Sequence, residues 1–151
     1  NTMSGGRLLR LKDYLGNNDF MLTYGDGLSN VNINKLLKFH QQNKKMVTVT
    51  AVRPPARFGA LEIKNNKVVK FKEKNQSGDN WINGGFFVME PKFFKFLKND
   101  KTILERKPLE KVSKLGELIA FKHAGFWQCM DHKSDKDILD SMIKKKRAVW
   151  L

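Results

Sequence analysis

Apolar residues near the start of the chain follow two different spacings, which predict a helix followed by a strand. They recur at near-helical intervals over residues 8–14, and Gly16 with the two asparagines after it is typical of a helix end. Residues 20–24 form a short continuous apolar run between turn residues, the pattern of a fully buried strand in a parallel sheet. The stretch Ser4-Gly5-Gly6 before the helix is interpreted as a loop.

A second helix and strand follow directly. Asn32 is a candidate N-cap for a helix that ends near Asn43 and carries an apolar stripe, made of Ile33, Leu36, Leu37 and His40. Residues 46–52 are β-branched and alternating, which favours a strand. A strand, helix, strand unit of this kind predicts parallel neighbours in a layered α/β fold.

The second half of the chain predicts one hairpin, three more strands and three helices. In chain order these are a hairpin of residues 61–63 and 68–71 around Asn65-Asn66, a strand at 82–89, short helices introduced by Pro91 and Pro108, the second of them ended by Gly116, strands at 118–121 and 126–130, and a last helix capped by residues 134–137 and ending near Lys144. No repeat, heptad series or linker interrupts the order. The pattern therefore predicts a single α/β domain over residues 1–151.

The net charge of the chain favours anionic ligands but does not distinguish among them. Lys and Arg number 29 and Asp and Glu 15, so the formal balance is 29 − 15 = +14. Such a field attracts polyanions, although dispersed lysines also serve simply to solvate a surface. The single Cys129, the lack of a leader and the lack of a membrane-length apolar run together predict a cytoplasmic protein with no membrane partner.

Two aspartates carry the candidate chemistry. Asp26 lies between glycines just past the first predicted strand, and Asp131 lies just past the last one. Carboxylates at the carboxyl ends of strands in α/β sheets are well placed to hold Mg²⁺ on a phosphate. Lys74 is a candidate phosphate contact, and three glycines would allow a ligand to approach the backbone: Gly25, Gly84 and Gly85. From the pattern alone, each aspartate is equally compatible with a simple turn.

The order of motifs resembles the glucose-1-phosphate cytidylyltransferases, a family of sugar nucleotidylyltransferases. The resemblance spans essentially the whole chain and is carried by residues 2–7 (Thr-Met-Ser-Gly-Gly-Arg), 23–27 (Thr-Tyr-Gly-Asp-Gly), 54–61, 71–74 (Phe-Lys-Glu-Lys), 82–88, 116–118 and 125–131 (Gly-Phe-Trp-Gln-Cys-Met-Asp). The first and last of these motifs point to the cytidylyl branch. The resemblance implies a Rossmann-like layered α/β fold with a mixed, mostly parallel sheet.

The resemblance also implies a reaction and a set of roles. CTP and α-D-glucose 1-phosphate would give CDP-glucose and pyrophosphate by in-line transfer, with Asp26 and Asp131 coordinating Mg²⁺ and Lys74 neutralising the sugar phosphate. The remaining contacts implied are Thr2, Arg7 and Gly25 for CTP, and Gly59, Glu73 and Asn83 for the sugar. Relatives are homo-oligomers, so a homo-oligomer is expected for the full-length protein.

The sequence departs from the family at its start. A first strand and a glycine-rich loop containing Gly-Thr-Arg, followed by a lysine, cradle the triphosphate in the family and are not among these residues. Asn75 and Cys129 stand where the family has prolines. We therefore expect this chain to be the carboxyl-terminal portion of a longer one, incomplete at the N-terminal end of its fold, and to be inactive alone.

Two other functions remain open. A metal-dependent nucleotide-sugar glycosyltransferase would also use carboxylates at strand ends. A basic nucleic-acid-binding domain would fit the +14 balance, but no recognised nucleic-acid-binding motif supports it, and no specific nucleic-acid partner is predicted. The three histidines and the single cysteine show no zinc-ligand spacing.

Overall fold

The computed structural model describes residues 1–54, 60–72 and 81–151, which form two compact units. The first unit comprises Asn1–Tyr24, Asn32–Thr50 and Gly85–Phe121. The second comprises Gly25–Val31, Ala51–Gly84 and Lys122–Leu151. The α/β class predicted from the pattern is confirmed.

Helices and strands are interspersed along the chain. In order, the elements are α1 (Ser4–Arg10), α2 (Lys12–Leu15), β1 (Phe20–Thr23), β2 (Gly27–Ser29), α3 (Ile33–Asn43), β3 (Val47–Val52), β4 (Ala60–Lys64), β5 (Lys67–Lys72), β6 (Ile82–Met89), a 3-10 helix (Pro91–Phe96), α4 (Lys107–Lys114), β7 (Leu118–His123), β8 (Trp127–Cys129) and α5 (Lys133–Lys144). None of the helices within the described residues has both the length and the apolar character of a membrane span.

A four-stranded sheet with the order β1-β6-β3-β7 organises the first unit. β1 and β6 pair antiparallel, with Phe20 opposite Met89 and Thr23 opposite Phe86. Apolar side chains from the sheet, α1, α4 and the 3-10 helix bury one another in a single core, formed by Leu8, Phe20, Met46, Val47, Phe87, Met89, Phe93, Phe94, Leu97, Leu104, Leu109 and Val112. Removing this apolar surface from water is the main driving force for folding of the unit.

The first strand differs from its prediction. Its burial alternates, with Phe20 buried and Met21 and Thr23 exposed, so it is not the fully buried parallel strand that its composition favoured. β1 and β3 are also not neighbours, because β6 from later in the chain lies between them. A local strand, helix, strand pattern cannot reveal an insertion made from more than 30 residues downstream.

The glycine-rich opening is helical rather than a loop. α1 begins at Ser4, and both glycines lie within it against the segment around residue 100. A Cβ on Gly6 would lie 2.2 Å from the carbonyl oxygen of Asp100, and one on Gly5 would lie 2.9 Å from that of Thr102. Glycine is therefore required here by close backbone packing, and its low helix propensity is overridden by tertiary contact.

Several local predictions are confirmed. Asn32 caps α3, since its Oδ1 accepts a hydrogen bond from the Lys35 backbone N–H at 2.9 Å. The β4–β5 hairpin turns at Asn65 and Asn66, both with positive φ, which suits a tight turn that follows the twist of the strands. Gly116 ends α4 with φ of 69°.

The second unit contains two small antiparallel ladders and α5. β2 pairs with β8, and β4 pairs with β5. Phe126 stacks on Trp150 with ring centroids 5.0 Å apart, and Arg53 lies over the Trp81 ring at 4.8 Å. The strand β2 was missed by the sequence analysis because three residues are too few to show alternation.

Candidate active site

The β2–β8 ladder brings the backbones of Asp26 and Asp131 together. Gly27 lies opposite Cys129 in the ladder. One residue further along, the backbone N–H of Met130 donates to the carbonyl oxygen of Asp26 at 2.8 Å. Asp131 follows Met130 immediately, and both aspartates are exposed. Two side chains 105 positions apart in the sequence are thus held at the same end of one strand pair.

The segment around Asp131 is held by a buried carboxylate. Asp135, only 7% exposed, accepts hydrogen bonds from the backbone N–H groups of Asp131 at 3.1 Å and His132 at 3.0 Å. It also accepts one from the Gln128 side chain at 3.2 Å. Asp135 lies at the third position of α5, where a carboxylate satisfies free N–H groups and is favoured by the helix dipole. The helix predicted from residue 134 begins at Lys133, and Asp135 both starts it and fixes the Asp131 backbone.

Cys129 contacts the side-chain carboxylate of Asp131. Its thiol donates to Asp131 Oδ2 at 3.3 Å, and the residue is half-buried. The contact orients one carboxylate oxygen of Asp131 toward the β2–β8 ladder.

Asn83 and Gly84 begin β6 next to this ladder. The indole N–H of Trp127 on β8 donates to the carbonyl oxygen of Gly84 at 2.8 Å, and a Cβ on Gly27 of β2 would lie 3.8 Å from both groups. Asn83, the predicted sugar contact, is exposed and precedes Gly84 directly. Trp127 is therefore half-buried, and its indole N–H has a polar role in holding the Gly84 backbone.

Gly25 and Gly85, two of the glycines predicted to let a ligand approach the backbone, differ in what surrounds them. A Cβ on Gly25 would meet nothing within 4 Å, so open space lies above that backbone. A Cβ on Gly85 would lie 2.8 Å from the Tyr24 ring, and Gly85 has φ of 79°. Gly85 therefore accommodates Tyr24 of its own chain rather than a ligand, and the expectation for it is corrected.

A hydrogen-bonded cluster in the first unit was not found from the sequence. Glu105 accepts from the Tyr24 hydroxyl at 2.5 Å and from the Ser4 hydroxyl at 2.8 Å. Burial by itself raises the pKa of Glu105. The hydrogen bonds from Tyr24 and Ser4, a hydrogen bond with its own backbone and the positive charge of Arg7 together outweigh burial, so the pKa is lower than its usual value. No local pattern predicts the cluster, because its members are 81 and 101 positions apart.

Thr2 and Arg7, the predicted CTP contacts, lie at the start of α1 in the first unit. Thr2 is half-buried and Arg7 is exposed, and the Arg7 backbone N–H closes the first helical turn on Met3 at 2.9 Å. Three predicted site residues lie outside the described residues: Gly59, Glu73 and Lys74.

The chemistry available to the described residues suits a cation shared with a ligand. No group of three or more His, Cys, Asp or Glu side chains that could hold a metal occurs within residues 1–54, 60–72 and 81–151. Mg²⁺ usually takes one or two carboxylates and completes its shell with water and substrate phosphates, so the donor pair Asp26 and Asp131 fits it.

The chain resembles several known proteins along almost its whole length. The chain is 43% identical over 150 residues to the glucose-1-phosphate cytidylyltransferase of Salmonella typhimurium, covering 99% of this chain and 58% of the relative. The enzyme of that name from Salmonella typhi matches with the same identity and coverage. The chain thus spans less than two thirds of the length of these relatives.

The fold has counterparts among solved structures. The crystal structure of HddC from Yersinia pseudotuberculosis superposes with a TM-score of 0.70 at 20% identity, covering 94% of this chain and 63% of that one. Residues 7–128 match the nucleotidyl transferase family. Because that match extends from α1 into β8 and includes Asp26, the chain belongs to the nucleotidyl transferase family.

Proposed function

We propose that this chain forms part of a glucose-1-phosphate cytidylyltransferase, which joins CTP and α-D-glucose 1-phosphate to give CDP-glucose and pyrophosphate. The observation that carries the proposal is the 43% identity over nearly the whole chain to relatives of that name. The pairing of Asp26 with the backbone next to Asp131 supports it, because a nucleotidyl transfer needs carboxylates that hold a cation on phosphates.

The proposed reaction is an in-line displacement at phosphorus. A phosphate oxygen of the sugar phosphate attacks the α-phosphorus of CTP, and the new O–P bond forms as the bond to the bridging oxygen breaks. Pyrophosphate leaves with that electron pair. When bound between Asp26 and Asp131, Mg²⁺ would neutralise charge on the phosphates.

The other predicted residues would position the two substrates. Lys74 would neutralise the sugar phosphate, and the open space above Gly25 would leave room for the nucleotide beside its backbone. The further roles stay as the resemblance implies them: Thr2 and Arg7 on CTP, and Gly59, Glu73 and Asn83 on the sugar.

Product binding tests the proposal without requiring turnover. We expect this chain to bind CDP-glucose in the presence of Mg²⁺ in calorimetry, and to bind it more tightly than UDP-glucose. Asp26→Asn and Asp131→Asn should each remove the dependence on Mg²⁺, whereas the exposed Asp137→Asn on α5 should retain it. Equal binding of both nucleotide sugars, or a metal dependence unchanged by both substitutions, would contradict the proposal.

An activity assay addresses the expectation that the chain alone does not turn over. Release of isotopically labelled pyrophosphate from CTP is measured with glucose 1-phosphate and Mg²⁺, using a full-length relative as the positive control. We expect no release above background. Turnover comparable to that of the relative would show that these residues suffice for catalysis.

Composition and kinship suggest a location and an assembly state for the full protein. We propose that the full protein acts in the cytoplasm, where a free thiol such as that of Cys129 persists. We also propose that it forms a homo-oligomer, which light scattering of the full-length protein would detect. A monomer at micromolar concentration would contradict this.

A further inference from the structure

A cavity of about 600 Å³ lies in the first unit, between α4 and the segment that leads into it. Its volume is within the range of pockets that hold small molecules, about 300–1,000 Å³. Its lining is formed by Phe96, Lys98, Asn99, Lys101, Thr102, Ile103, Arg106, Lys107, Pro108, Glu110, Lys111 and Lys114. None of these residues belongs to the candidate active site.

The lining is far more basic than the chain as a whole. Six of its 12 residues are Lys or Arg and one is Glu, so its formal balance is 6 − 1 = +5. In the whole chain, Lys and Arg make up 29 of 151 residues. The lysine-rich composition of the protein therefore does not account for the density of positive charge around this cavity.

Within the described residues, the positive charge of the lining is only partly offset, by Glu110. None of the six cations there takes part in an ion pair with another described residue, whereas the nearby Asp100 and Glu105 are engaged elsewhere. Asp100 pairs with Arg10 at 2.5 Å, and Glu105 accepts from Tyr24 and Ser4. A phosphate in the cavity would meet these cations without displacing a partner.

Two of the cations are poorly placed for the stability of α4. Arg106 is the N-cap and Lys107 the first residue, the end at which the helix dipole disfavours positive charge, whereas Lys111 and Lys114 lie in the last turn, where it is favoured. Lys107 and Lys111 are four positions apart on the same helix, where like charges repel. A bound anion at this end of the helix would relieve both effects.

The lining also contains apolar residues, which narrows the class of ligand. Phe96, Ile103 and Pro108 line the cavity together with the cations. We propose that this cavity binds a small molecule that carries a polyphosphate and an apolar or planar portion, such as a nucleoside polyphosphate. The phosphates lie against Arg106, Lys107 and Lys111, and the planar portion lies against Phe96 and Ile103.

Inorganic tripolyphosphate probes the cationic half of the site. The experiment uses this chain in the presence of EDTA, which excludes metal-dependent binding at Asp26 and Asp131, and follows amide chemical shifts and calorimetric affinity. We expect shifts concentrated in residues 96–114, and a loss of affinity of about fivefold or more in the double variant Lys107→Gln/Lys111→Gln. Glu110→Gln should strengthen binding by about twofold.

A matched control separates a site from general basicity. Lys35 and Lys38 are exposed on α3 in the same unit, and the double variant Lys35→Gln/Lys38→Gln removes the same charge. It should bind tripolyphosphate as the unmodified chain does. An equal loss in both double variants, or shifts spread over all surface lysines, would overturn the proposal.

Ile103→Ala tests the apolar half. In EDTA, we expect it to weaken CTP binding by at least about threefold while leaving tripolyphosphate binding unchanged, which also shows that the variant is folded. Equal effects on both ligands would contradict the proposed orientation. Tighter binding of a single-stranded oligonucleotide than of CTP in this cavity would assign it to nucleic acid instead.

Discussion

Gly6 illustrates how one missing side chain permits a whole segment to pack. A Cβ at this position would lie 2.2 Å from the Asp100 carbonyl oxygen and 2.5 Å from its Cα, both backbone atoms that cannot rotate away. Alanine would gain about 1 kcal/mol in helix propensity, yet the backbone would have to separate to admit it.

We therefore predict that Gly6→Ala lowers the free energy of unfolding by about 2 kcal/mol, the usual cost of overpacking. Urea denaturation followed by circular dichroism measures this. Gly25→Ala serves as the control, since nothing lies within 4 Å of its added Cβ, and it should change stability by less than about 0.5 kcal/mol. Comparable stability of the two variants would show that α1 tolerates displacement.

His40 is a buried ionisable residue, only 2% exposed. Its Nδ1 lies 2.8 Å from the Thr48 hydroxyl, and its Nε2 lies 3.7 Å from Asp19. Burial lowers the pKa of His40 below 6.5; Asp19 and Glu90 oppose the shift in part, and Lys92 adds to it. The folded state therefore resists protonation that the unfolded state accepts.

This gives a pH dependence with a defined sign. Because the folded pKa is depressed, stability should be lost as pH falls from about 7 through the unfolded value of about 6.5 toward the folded pKa. Urea unfolding between pH 7.5 and 5 measures it, and His40→Gln should flatten this part of the profile. A slope that persists unchanged in His40→Gln would refute the assignment.

At the scale of elements, the junction between β8 and α5 shows how a helix start can hold a functional position. Asp135 receives hydrogen bonds from two backbone N–H groups and from the Gln128 side chain, and one of those N–H groups belongs to Asp131. The Asp135 carboxylate therefore both caps α5 and holds the Asp131 backbone in place.

We predict that Asp135→Ala destabilises the protein by about 2 kcal/mol, since it leaves capping N–H groups unsatisfied. It should also weaken Mg²⁺-dependent binding of CDP-glucose, although Asp135 itself is not proposed to touch the cation. Thermal unfolding and calorimetry provide the two measurements. Asp137→Ala, two positions further along α5 and exposed, should affect neither. Lost stability with unchanged ligand binding would separate the two roles.

At the scale of the whole molecule, the formal charge of +14 governs encounters with polyanions. We predict that a random single-stranded oligonucleotide binds weakly at low salt, with a Kd on the order of 10 μM or weaker, and is released at physiological salt. Fluorescence anisotropy over a salt series measures this. Submicromolar binding that persists at physiological salt would favour the nucleic-acid-binding alternative.

Elements whose signals are local were predicted well. The α3 cap at Asn32, the turn at Asn65 and Asn66, and the end of α4 at Gly116 each depend on a few adjacent residues and their own backbone preferences. The candidate aspartates were also identified from the sequence, because each follows an apolar run and belongs to a family motif. Their roles as metal ligands stay predictions.

Contacts between distant segments could not be predicted. The insertion of β6 between β1 and β3, the helical packing of Gly5 and Gly6, and the Ser4, Tyr24 and Glu105 cluster all join residues far apart in the chain. Three-residue strands such as β2 carry too little pattern to be recognised, although β2 aligns Asp26 with the segment that ends at Asp131.

The α/β class, the caps and turns, and the two acidic positions that mark the family can be recognised from the sequence. Backbone preferences, hydrophobic periodicity and side-chain chemistry are properties of neighbouring residues, so they can be seen along the chain. The folded chain was needed to reveal the strand order, the reason for each glycine and, within the described residues, the cations without an ion pair around the cavity beside α4. These depend on which distant backbones approach each other, and that is settled by burial of the common core.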